Sequence, residues 1–325
     1  MIVPQFWAEA VVRAELAGRR VRVRRFGWSD ASPAEAQANA DARAADAVRR
    51  LLAGESVARS EPKVPYNGAA GVPIREEVLA RYGDSVVTRN SYGARCLNSP
   101  NVLFADVDFP GDVPSPAGCV IVVLALAAGS VVAWVGEAGT LAIILACVAA
   151  VVAVPTGTLV VYARRDKRRD PADAARGRLD RFLAGHPDWA VRVYRTPAGL
   201  RVLVTHQPFD PGDPTVLTFF RAIGTDPMYV RMCLNQQCFR ARVTAKPWRV
   251  GIETRMRPRP GVWPVRPERL GERAEWVAAY EHAARAYAAC EFVETLGSGI
   301  MHPAVGPVQK LHDDLCRATS GLPIG

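Results

Sequence analysis

Residues 101–108 read NVLFADVD, an apolar run that closes on two aspartates. The stretch reads as an apolar strand, and a strand's period of two places Asp106 and Asp108 on the same side. Two like charges at that spacing repel unless a cation lies between them. This is how oxygen donors hold Mg²⁺ or Mn²⁺ beside a phosphate substrate. The other reading of the pair is a strand-end turn with solvated acids, helped by Pro110 and Gly111.

Just beyond this strand the composition changes. Residues 119–135, CVIVVLALAAGSVVAWV, contain no charge, and a helix of that length rises about 26 Å, close to the thickness of a hydrocarbon core. A second apolar run, Ala138–Tyr162, has only Pro155 as an irregularity, and Gly136 and Glu137 make the connection short. Arg164, Arg165, Lys167, Arg168 and Arg169 follow, a cluster that the positive-inside rule assigns to the cytoplasm. The sequence thus predicts a two-helix transmembrane hairpin over residues 118–163. It would make the chain a multi-pass protein of the inner (cytoplasmic) membrane, with both termini cytoplasmic and the lipid bilayer its partner through residues 119–162. A helical hairpin buried in a protein core is the other reading, disfavoured because neither run has a polar face.

On either side of the block the periodicities are those of a mixed domain. Phe6–Leu16 is apolar-periodic and Arg20–Phe26 alternates as a strand does. Ser32 and Pro33 open a helix that runs to Leu52. A loop over 56–72 and a short helix over Ile74–Tyr82, stopped by Gly83, are expected next. Past the block, Asp173–Leu183 reads as a helix, and Trp189–Arg195 and Leu200–Thr205 as strands joined by Thr196-Pro197-Ala198-Gly199. Pro214–Ile223 and Met228–Gln236 read as helices, Cys238–Thr244 as a strand, and about Glu268–Leu296 as a long closing helix. With the hairpin excised, the order from residue 101 is strand, helix, strand, strand, helix, strand. That is an α+β fold of the split βαββαβ type, RRM-like or palm-like, an antiparallel sheet with helices on one face. The parts are then an N-terminal α/β portion (1–100), a palm-like core (101–117 and 164–267), the hairpin (118–163) and a C-terminal helical region (268–325).

This order of elements, with an acidic pair on its first strand, resembles the palm of the archaeo-eukaryotic primase superfamily, the bacterial primase-polymerases in particular. The resemblance implies that Asp106 and Asp108 bind divalent metal, Mg²⁺ or Mn²⁺, with Asp226 in GTDPMYVRM as a third catalytic carboxylate. In YRTPAGLRVLV, Arg201 falls where that family carries a nucleotide-contacting histidine. Arg201 would act there as a charge clamp on a triphosphate. Arg240, Arg242 and Lys246 in FRARVTAKPWR match an arginine-bearing strand followed by a lysine, which implies nucleotide or phosphate contacts.

Composition agrees with an anionic partner. Lys and Arg outnumber Asp and Glu by 41 to 32, a net charge of +9. Between Phe239 and Arg259 the cations Arg240, Arg242, Lys246, Arg249, Arg255, Arg257 and Arg259 face only Glu253, with Trp248 and, just past the run, Trp263 alongside. Such a stretch suits a nucleotide or nucleic acid, through ion pairing and stacking, or anionic lipid headgroups. Seven cysteines are an odd number. Cys233 and Cys238 are spaced too widely for common paired zinc ligands, so a reducing setting and ordinary core thiols are expected. His186, His282, His302 and His312 have no ligand spacing and read as structural. The N-terminus lacks the pattern of a secretory signal. The function expected is a membrane-tethered, primase-like domain that handles nucleotides or nucleic acid with a divalent metal. The alternatives are a non-catalytic basic module that binds a partner or anionic lipid, and a metal-dependent membrane glycosyltransferase, which would also use an Asp-x-Asp.

Overall fold

The computed structural model describes residues 1–16, 18–61, 72–109, 170–259, 261 and 263–325. Residues Met1–Asp108 and Arg178–Gly325 form one compact unit and Phe109–Gly177 a second. The first unit carries all that follows except residues 171–177, which begin one helix.

Its N-terminal part is a long hairpin, β1 (Phe6–Leu16) and β2 (Arg19–Ser29), paired antiparallel with Val12 opposite Val23. Helix α1 (Pro33–Leu52) starts where the sequence marks it: the Ser32 side chain accepts from Glu35 N, and Pro33 needs no donor in the first turn. Its buried stripe is Ala36, Ala40, Ala44 and Ala47, small enough to bring the helix backbone against the hairpin. At Gly27 the approach is closest, for a Cβ there would stand 2.1 Å from Ala40 N.

Two four-stranded antiparallel sheets follow. One has the order β3 (Glu77–Tyr82), β4 (Ser85–Arg89), β5 (Arg95–Ser99), β9 (Phe239–Arg242). The other has the order β10 (Glu291–Gly297), β7 (Ala190–Thr196), β8 (Gly199–Val204), β6 (Phe104–Asp108). The remaining α-helices among the described residues are α2 (Pro171–Ala184), α3 (Pro214–Ile223), α4 (Pro227–Gln236), α5 (Leu270–Ala284) and α6 (Gly306–Cys316). Asp213 and Asp226 cap α3 and α4, each followed by proline. Phe182, Trp189, Phe209 and Phe219 pack ring against ring beside the β7–β8 hairpin.

The α+β class stands, but several expectations are corrected. The transmembrane hairpin is not upheld: no helix among the described residues is long and apolar enough to cross a membrane, and residues 119–162, on which that reading rested, lie outside the described residues. The multi-pass, inner-membrane placement and the bilayer as partner go with it. The expected single split sheet is also different. Strand β9 does not join β6 but pairs with β5, with Arg240 opposite Asn98 in the register, and the Arg240 guanidinium is bonded there to Asn98 and Glu76. The outer edge of β6 is covered instead by α4, where Asp226 N donates to Asp106 O (3.2 Å) and the Tyr229 hydroxyl to Phe104 O (2.8 Å).

The far edge of that sheet is β10, from a stretch expected to be the end of a long helix. Helix α5 stops at Ala284, and EFVETLG alternates between half-buried and exposed positions as an edge strand does. Residues 77–82 are a strand rather than a helix. The left-handed Gly83 (φ 55°) serves the two-residue turn between Tyr82 and Ser85, not a helix end. The described residues of 1–100 thus hold five strands where the sequence shows one clearly.

Candidate functional site

Strand β6 buries Phe104, Ala105 and Val107 and leaves Asp106 part-exposed and Asp108 at the rim. In the β6–β8 register Asp106 lies directly opposite Arg201, and Arg201 opposite Tyr194 on β7. Facing residues on one side of a sheet touch, and here they form a fork: Arg201 Nε donates to Asp106 Oδ1 (2.8 Å) and Nη2 to Oδ2 (3.1 Å). Nη1 donates to the Arg242 carbonyl at 2.8 Å, which ties the end of β9 to this sheet. Arg201 is only 2% exposed. Burial works against its charge, but the Asp106 carboxylate outweighs that and holds the guanidinium pKa well above the usual value.

A cleft of about 330 Å³ opens over this fork. All seven residues singled out from the sequence line it: Asp106, Asp108, Asp226, Arg201, Arg240, Arg242 and Lys246. They are not equivalent. Asp226 caps α4 through Oδ1, which accepts from Met228 N at 3.0 Å, and the backbone bond to Asp106 O holds it beside β6. Although the Asp108 side chain is open to solvent, the protein around the cleft raises its carboxyl pKa, and the Asp106 and Asp226 charges raise it further. Lys246 and Arg242 oppose that rise. The three acids therefore share one field.

Arg240 sits in the floor, where it donates twice to Glu76 (2.8 and 2.7 Å) and once to Asn98 Oδ1 (2.9 Å). It is 6% exposed and Glu76 4%. Tyr229, which the sequence does not single out, fastens three elements, for its hydroxyl donates to Phe104 O and accepts from Arg240 N (3.1 Å). Arg242 and Lys246 also line the cleft, and Arg249 stands near enough to act on the Lys246 charge. Burial lowers the Lys246 pKa, Arg242 and Arg249 lower it more, and Asp108 and Asp106 work the other way. Two buried guanidinium atoms, Arg242 Nε and Arg249 Nη1, have no acceptor. Lys246 Nζ lies 5.3 Å from the centre of the Trp248 ring, which is tilted against Tyr92 and 56% exposed.

The hard oxygen donors and their crowding fit a divalent cation of the Mg²⁺ or Mn²⁺ type. Asp106, Asp108 and Asp226 do not draw three donor atoms into one tight group, however. Among the described residues only Cys290, His312 and Cys316 do so, each ligand atom within 4.8 Å of the others. A hard cation held by one or two carboxylates takes its remaining ligands from water and substrate phosphate, so the aspartates need not converge beforehand. Buried donors without acceptors cost about 1–3 kcal/mol each. Arg242 Nε and Arg249 Nη1 are two such donors, and Arg242 also lines the cleft.

The sequence did not single out Tyr229 in the cleft or Arg249 beside it. Arg249 was visible in the basic run, whereas nothing in the pattern marks Tyr229. No family model matches the chain, and neither a curated protein nor a solved structure matches it.

Proposed function

We propose that the cleft binds a phosphate ester of the nucleotide class together with Mg²⁺ or Mn²⁺. The observation that carries this reading is one cleft lined by three carboxylates together with Arg242 and Lys246, close enough that the acids and the cations act on the same Asp108 carboxyl. Asp108 and Asp226, with Asp106, would hold the cation. When bound, such a cation neutralises phosphate charge and aligns an in-line displacement. Lys246, Arg242 and Arg249 contact the phosphates, and their shared repulsion in the free protein is relieved by the bound anion. Trp248, exposed at the rim and backed by Tyr92, offers a face on which a base stacks. Arg201 and Arg240 have carboxylate partners of their own, Asp106 and Glu76. They orient the lining: Arg201 aims the Asp106 carboxylate, and Arg240 anchors the strand that delivers Arg242. A primase-like role is the activity class this arrangement suits best.

Isothermal titration of the full chain with a nucleoside triphosphate, with and without Mn²⁺, tests the reading. Binding should require Mn²⁺, weaken at least about tenfold in Lys246→Met, about 1.4 kcal/mol, and vanish in the Asp108→Asn/Asp226→Asn double variant. Triphosphate binding that ignores both Mn²⁺ and these substitutions would refute it.

A further inference from the structure

Behind Arg201, on the side away from Asp106, three side chains with soft or borderline donor atoms meet in the dry interior. Cys290 immediately precedes β10, and His312 and Cys316 lie one turn apart on α6, so both project to one side of that helix. His312 and Cys290 are 0% exposed and Cys316 1%. His312 Nε2 is 3.4 Å from Cys316 Sγ and 4.0 Å from Cys290 Sγ. In a tetrahedral zinc site, bonds of about 2.3 Å to sulfur and 2.0–2.1 Å to nitrogen put those atoms about 3.5 Å apart. The three donors already stand near the distances a shared ion would impose.

The surroundings supply what such an ion needs. His312 Nδ1 is 3.0 Å from Asp313 Oδ1, and Asp313 is itself held by Arg192 (2.9 Å). A carboxylate on Nδ1 fixes the proton there and turns the Nε2 lone pair to the two sulfurs, the arrangement that orients metal-bound histidines. The rings of Phe104 (5.1 Å) and Tyr194 (4.8 Å) pack against the imidazole and exclude water. Arg201 Nη1 also approaches Nε2, at 3.4 Å, but its shorter bond is to the Arg242 carbonyl (2.8 Å). Charge balances as well. The two thiols lose their protons on binding, and the two thiolates cancel a divalent ion, so the site adds no net charge next to the Arg201 guanidinium.

We propose that Cys290, His312 and Cys316 form a buried site for a thiophilic divalent cation of the zinc class, distinct from the acidic cleft. Three protein ligands leave the fourth position to an oxygen from water or backbone. The ion pins α6 to the start of β10 and backs Arg201, whose side chain lines the cleft. The site does not depend on what the cleft binds.

The test uses the full chain, purified reduced and without chelator. Elemental analysis should find about one zinc per chain, retained in Asp108→Asn/Asp226→Asn and lost in His312→Ala. Replacement by Co²⁺ should give the near-ultraviolet thiolate-to-cobalt charge-transfer band, absent in Cys316→Ser. Should those variants fail to fold, the parent alone decides, through its cobalt spectrum and its competition with a chromogenic zinc chelator. A reduced parent that holds no zinc and shows no band with added Co²⁺ overturns the proposal. So does a Cys290–Cys316 disulfide found by mass spectrometry in the freshly isolated chain, which would make the pair a redox couple.

Discussion

Replacing Arg201 by Met separates two roles for this side chain. If Arg201 is a positioning residue, Arg201→Met removes the two bonds to Asp106 (2.8 and 3.1 Å) and the one to the Arg242 carbonyl (2.8 Å), with little change in volume. Severing a fully buried ion pair costs about 3–5 kcal/mol. The Asp106 side chain is 31% exposed, so water recovers part of its solvation, and the expected loss is about 2–3 kcal/mol. At about 2–4 °C per kcal/mol for a folded unit of this size, the melting temperature should fall by about 4–12 °C. Arg201→Lys should fall between, since it keeps the charge but cannot form the fork. Differential scanning calorimetry on the ligand-free chain reads this directly. A phosphate clamp behaves in the opposite way: the ligand-free variant would melt within about 2 °C of the parent while triphosphate affinity collapsed. That result would refute the assignment.

Three further outcomes are expected. Asp108, with its carboxyl pKa raised above the ordinary 3.8, binds its proton more readily folded than unfolded, so it costs stability at neutral pH, and that cost fades as pH falls through the raised value. Asp108→Asn should therefore stabilise the metal-free chain at pH 7 and match the parent near pH 3 in urea melts. Glu76→Met or Arg240→Met should each lose about 3–5 kcal/mol in chemical denaturation, and the double variant should lose less than either, because no buried charge is left alone. Gly27→Ala should cost at least about 1–3 kcal/mol by thermal melt, as its Cβ would meet the backbone of α1 at Ala36 O (2.3 Å) as well as at Ala40 N.

The elements with local signatures were legible in the sequence. Ser32-Pro33 marked the start of α1, Thr196-Pro197-Ala198-Gly199 the β7–β8 turn, and the alternation in FADVD the shared side of Asp106 and Asp108. The seven chosen side chains line one cleft, yet the sequence did not separate those with ion-pair partners from those facing ligand. That division depends on carboxylates far along the chain: Glu76 is 164 residues from Arg240, and Asp106 is 95 from Arg201. Strand β10 was hidden because an edge strand buries too little to impose a clean period, and the Ala-rich stretch before it favours helix. His312 looked structural on spacing alone. Its companion one turn on, Cys316, was the signal that two ligand types share a helix face, and only the fold adds Cys290.

The separations between ion-pair partners also bear on how the protein comes to be folded. During synthesis β6 leaves the ribosome long before β8, and its two carboxylates wait without the guanidinium that will face one of them. Glu76 and Glu77 wait longer still, for Arg240 and for Arg273, the latter 196 residues downstream. Chain closures of that span precede the contacts that reward them, so assembly of the cleft is a late, slow event. Until then the exposed β6 edge and the acids of the 76–108 stretch are the parts of the nascent chain most dependent on protection from misplaced pairing.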